Sequence, residues 1–138
     1  MRHSVLRLVA ATTLALAGCR SDAAVTPPPG LDAEYALETV NGIALPFLKE
    51  ESASQRVEVV SGSLSLRANH TYSGAIVEQW TTGGNVQTFP ETSSGTYSLS
   101  GNQLTFTESG SGAVYYGTLN GTRIAATLGD VTFGFVKK

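Results

Sequence analysis

The sequence predicts an all-β fold: an antiparallel up-and-down meander closed into a small barrel of about eight strands, with a β-sandwich as the alternative. Three observations carry that prediction. From Glu34 onward, short runs alternate apolar and polar residues, the period-2 signature of half-buried strands. Glycine and asparagine pairs, which tolerate the positive φ of tight hairpins, separate the runs. No segment keeps apolar residues at i, i+3, i+4 and i+7 for three turns, so no amphipathic helix competes. A chain of 138 residues, 41% hydrophobic and 14% charged, has room for one sizeable core. Its net charge of −2 offers no electrostatic footprint for nucleic acid. A single cysteine excludes a disulfide framework and any multi-cysteine metal site.

In chain order, Met1 to Arg7 is a short basic head, and Leu8 to Gly18 follows as eleven residues without a charge. At 1.5 Å per residue such a helix rises about 16 Å, against roughly 30 Å of bilayer hydrocarbon. It is too short to span and reads as the apolar core of a secretion signal. The core ends in Leu16-Ala17-Gly18-Cys19. This four-residue box, with the basic head before it, resembles the bacterial lipoprotein signal. The resemblance implies cleavage after residue 18, acylation of Cys19 (a diacylglyceryl group and a third, palmitate-like chain) and a lipid anchor in the cell envelope. Arg20 stands where inner-membrane retention signals carry aspartate, so the resemblance favours the outer membrane. Residues 19–33 are expected to form the lipidated cysteine and a disordered tether. Pro27-Pro28-Pro29 favours extended backbone and removes three amide donors there.

The barrel domain is expected over residues 34–138. Tyr35 to Val40 opens it, and Val57 and Val59 lead through Ser61-Gly62 to Leu64 and Leu66. Ala68-Asn69-His70 turns into a long run, Thr71 to Thr81, which Gly83-Gly84-Asn85 ends before Val86 to Phe89. Gly95 to Ser100 and Leu104 to Thr107 form a hairpin about Gly101-Asn102. Ala113 to Leu119 turns at Asn120-Gly121 into Ile124, Ala126 and Leu128, and Gly129-Asp130 opens the last strand, with Val131, Phe133 and Phe135 on one face. Closing such a meander removes two edges that would otherwise pair with other chains.

The opening Tyr35-Ala-Leu37-Glu-Thr-Val40-Asn41-Gly42, the pair Gly95-Thr-Tyr97-Ser-Leu99 and Leu104-Thr-Phe106-Thr, and the closing Phe133-Gly-Phe135 are similar to small lipocalin-like lipoproteins of bacterial envelopes. The resemblance implies a lipocalin-like barrel that takes one small hydrophobic or amphipathic ligand.

Catalytic constellations are not evident. After cleavage the one histidine is His70, in a turn, and no Gly-x-Ser-x-Gly elbow accompanies it. One histidine with an acylated cysteine cannot complete a zinc site. The reading is therefore non-enzymatic, with no metal and no cofactor beyond the covalent lipid on Cys19. Strand parity places Tyr72, Ile76, Glu78 and Trp80 on one inward face, with Phe106 facing them from a later strand. These five are the expected ligand-binding residues. Glu78 is expected inside the barrel with a carboxyl pKa raised by burial. Tyr115-Tyr116 must point one ring inward and one outward. The alternative function is a structural lipoprotein with a filled core that contacts an envelope partner.

Overall fold

The computed structural model describes residues 30–138; Cys19, the residues before it and most of the expected tether lie outside the described residues. Ten strands form one sheet: β1 (Ala33–Val40), β2 (Ile43–Ala44), β3 (Phe47–Glu51), β4 (Gln55–Leu66), β5 (Thr71–Thr82), β6 (Asn85–Ser100), β7 (Gln103–Glu108), β8 (Val114–Asn120), β9 (Arg123–Leu128) and β10 (Val131–Lys137). Every pairing is antiparallel. Neighbours run β1-β10-β9-β8-β7-β6-β5-β4, and β4 pairs back onto β1 from Ala33↔Leu66 to Ala36↔Ser63. The sheet is a closed eight-stranded up-and-down barrel with two extra strands, so the sandwich alternative is set aside.

The closing seam is short. Beyond Ala36 and Ser63 the two strands diverge, and the gap is filled from within the chain: β2 lies on β1 (Val40↔Ile43) and β3 on β4 (Phe47↔Val59). Glu50 and Glu51 therefore stand on a strand, with exposed side chains. The turn expected at Ser61-Gly62 is instead a bulge between Val59 and Ser61 within continuous β4. A bulge inserts an extra residue and sharpens local twist, which bends a strand around a barrel without ending it. Val86–Phe89 and Gly95–Ser100 likewise fuse into the single sixteen-residue β6. Residues before Glu34 also join the barrel: Gly30 N–H bonds the Ala68 carbonyl, and Leu31 N–H donates to the Tyr97 hydroxyl at 2.5 Å. That hydroxyl in turn donates to the Arg67 carbonyl at 2.9 Å, fixing the incoming chain across the base of the barrel.

Strand β6 has two different halves. Its full length pairs with β5, from Thr82↔Asn85 to Thr71↔Thr96, but it pairs with β7 only over Gly95–Ser100. Gly95 marks the crossing, because a Cβ there would fall 2.0 Å from the Thr107 carbonyl oxygen. No described strand covers the outer edge of residues 85–94. Pro90 sits in this stretch and has no N–H to offer another chain, which blunts the edge. Turn Gly83-Gly84, both with positive φ (56° and 83°), folds the β5–β6 ribbon back in two residues, a geometry closed to most side chains.

The core fills the base. Tyr35, Leu66, Tyr72, Tyr97, Leu104, Phe106, Ile124 and Phe135 are all buried in one cluster. Phe106 meets Tyr72 edge-on (centroids 5.1 Å, 77°) and lies 6.4 Å from the Tyr97 ring. Alternation places these residues inward on successive strands, so the base is packed while the opposite end, beside the uncovered half of β6, is open.

Candidate functional site: a two-chambered cavity

Two adjoining cavities occupy the open end. The inner has a volume of about 130 Å³ and is lined chiefly by Leu64, Tyr72, Phe106 and Phe135. The outer, about 380 Å³, is lined among others by Val40, Phe47, Val59, Lys49, Glu78 and Glu108. Ile76, Glu91, Ser93, Tyr115, Leu128 and Phe133 border both, so the two lie side by side. Their combined size lies within the range of pockets for small organic ligands, roughly 300–1,000 Å³.

Of the five residues singled out from sequence, Tyr72 and Phe106 line the inner chamber, Glu78 the outer, and Ile76 both. Trp80 lines neither. It lies half-exposed at the rim, stacked edge-on against Phe89 with ring centroids 5.4 Å apart. Its indole N–H donates to Glu78 Oε2 at 3.1 Å, so it orients the carboxylate rather than facing the chambers. Tyr115 is the inward member of the tyrosine pair, while Tyr116 is 64% exposed on the outer wall.

Glu78 is the one buried charged side chain among the described residues. Burial by itself pushes its pKa up. The hydrogen bond from Lys49, the Trp80 N–H and the Lys49 charge together outweigh burial and hold Glu78 below the ordinary carboxylate range. The expectation of a raised pKa is thereby corrected: burial acts in the expected direction, but Lys49 reverses the result. Sequence reasoning missed Lys49 because its aim depends on β3 filling the seam and on a register shift between Leu48 and Glu50. Nothing in the local sequence marks either event. The Lys49 pKa is raised in return, chiefly by its bond to Glu78.

Glu91, Glu108 and Ser93 were also not singled out, although parity along β6 and β7 turns them inward. The Glu108 carboxyl is held below its ordinary range, first by the Ser111 hydroxyl acting against burial, then by Ser93 and Tyr115. The Tyr72 hydroxyl lies 2.9 Å from Ser93 Oγ. Glu91 has no ion pair or hydrogen bond within the described residues. The outer chamber thus combines negative charge with apolar surface, and two of its three carboxyls, Glu78 and Glu108, are held below the ordinary carboxylate range. His70 lies at the opposite end, its ring 5.5 Å from that of Tyr97. No three His, Cys, Asp or Glu side chains among the described residues converge on a metal position.

Removing the Lys49 charge tests this electrostatic arrangement. In the native protein, Glu78 has a lowered folded pKa, so its stabilisation is present above the unfolded value of 4.5 and lost as pH falls through the folded one. In Lys49→Met, burial dominates and the folded pKa rises above 4.5; stability is then greatest below that pH and lost as pH rises through the new value. The cost at neutral pH is expected to be about 1–3 kcal/mol, kept moderate because Lys49 is half exposed. Urea unfolding should show the gap between the two proteins closing as pH falls from 7 toward 4. An unchanged gap would show that the pair does not set the Glu78 pKa.

Compared with protein-family models, curated proteins and solved structures, the chain gives no match.

Proposed function

We propose that the protein is a lipid-anchored envelope lipoprotein, held at the outer membrane by acyl chains on Cys19, whose lipocalin-like barrel binds one small amphipathic molecule without transforming it. The observation that supports this most directly is the pair of adjoining cavities, one largely apolar where Tyr72 and Phe106 meet, the other lined by charged groups at the mouth. A barrel serving only as a structural element would gain stability by filling that space, since unfilled volume forfeits packing contacts. The chain enters the barrel at the base, through Gly30 and Leu31, opposite the mouth. An anchor leading to that end leaves the mouth free for exchange with molecules in the aqueous space.

Ile76 borders both chambers and is only partly buried, so enlarging it blocks the path with limited damage to the core. Ile76→Trp is expected to retain cooperative unfolding near the native midpoint and to lose one-to-one uptake of a neutral apolar probe such as N-phenylnaphthylamine, followed by fluorescence titration. Equal uptake by both proteins would place binding outside the cavity and overturn the ligand-binding reading.

A further inference from the structure

We infer that the ligand head selected at the mouth is cationic, so that the cavity takes a single-tailed amphiphile bearing an amine or quaternary ammonium group. This rests on the ligand-binding reading above and adds the ligand's charge. Three carboxylates, Glu78, Glu91 and Glu108, line the outer chamber, and Lys49 is the one Lys or Arg among its lining residues. Lys49 is consumed by Glu78. Glu108 is held by neutral groups, Ser111 and Tyr115, and Glu91 makes no salt bridge in the described residues, feeling Lys49 only at longer range. Three carboxylates and one ammonium leave the chamber with a net formal charge of −2. Nearby Arg56 cannot supply the balance, because its guanidinium is shared between Glu51 at 2.9 Å and Glu58 at 2.8 Å.

The inner chamber supplies the complementary half. Apart from Glu91 it is lined by no charged side chain, and Leu64, Ile76, Phe106, Phe133 and Phe135 give it a largely apolar surface, suited to a tail and not to a second charge. Buried against such surface an anionic head would be unpaired, whereas a head at the level of Glu91 and Glu108 meets charge of one sign. The whole domain repeats the asymmetry. Of the ten described carboxylate side chains, Asp32 and Glu34 lie at the base, Glu38 stands midway along β1 and the rest lie on the mouth half; of six Lys and Arg, Lys49 and Arg56 alone lie on the mouth half. Such a field raises the local concentration of cations at the mouth and repels anions.

The test uses the full 138-residue chain made by cell-free synthesis, so that no acyl chain competes for the cavity. Decyltrimethylammonium and decyl sulfate, matched in tail and opposite in charge, are titrated below their micelle concentrations and complexes are counted by native mass spectrometry. The cation should bind one-to-one at least about tenfold more tightly than the anion. Glu91→Lys removes the excess charge at an exposed position without disturbing the core and should bring the two within about threefold. One-to-one binding in which the anion equals or exceeds the cation would overturn the cationic assignment and leave the ligand-binding reading standing. Failure of both probes to bind, or binding that persists in Ile76→Trp, would overturn both.

Discussion

Cys19→Ala is expected to transfer essentially all of the protein from washed membranes to the soluble fraction and to abolish palmitate labelling. The thiol is the acyl acceptor on the proposed reading, and each buried CH₂ contributes about 0.8 kcal/mol, so two or three chains hold a domain firmly where one does not. The eleven uncharged residues before Cys19 are not expected to substitute as a span, since a helix of that length would reach only about half of the hydrocarbon thickness. Cell fractionation with immunoblotting reads the transfer, and metabolic labelling reads the acyl chain. A variant that stays in the membranes and still takes up label would contradict acylation at Cys19.

Phe106→Ala carries the largest expected effect on stability. Phe106 is 3% exposed, and its ring is shared by the Tyr72 and Tyr97 contacts that close the base of the inner chamber. Truncation loses the transfer free energy of the ring and leaves a void that β7, paired on both sides, cannot collapse. The cost should be about 3–5 kcal/mol, or roughly 10–20 °C in Tm for a domain of this size. Calorimetry checks it. Ligand uptake by whatever fraction remains folded should persist and tolerate a bulkier tail, since the change enlarges the apolar chamber. That outcome separates Phe106 from Ile76, whose enlargement closes it. A Tm shift of only a few degrees would mean that the base is not packed as described.

Much of this fold is legible in the chain itself. Tyr97 and Leu99 answer Leu104 and Phe106 across Gly101-Asn102 because alternation fixes the faces and the turn residues fix the register. The same logic identifies Tyr72, Ile76 and Glu78 as inward neighbours on β5. It fails at two kinds of place. Bulges shift register without a sequence mark, so Ser61-Gly62 looks like a turn when it lies within β4, and Lys49 looks solvated when it reaches Glu78. Strands of unequal length leave an opening that no local pattern records: Trp80 follows the parity of Glu78, yet it lies past the chambers, at a rim that β7 does not reach. The charge arrangement of the cavities depends on those non-local events. Its apolar half was accordingly readable from alternation, and its charge balance was not.

The measurement that bears most directly on the proposed ligand-holding barrel is native mass spectrometry of the protein purified from the cells that make it. The cavity should appear occupied: one discrete mass beyond the acylated polypeptide, released on denaturation and missing from Ile76→Trp. Native protein and Ile76→Trp both carrying only the mass of the acylated polypeptide would contradict a carrier and favour a barrel that acts through its outer surface.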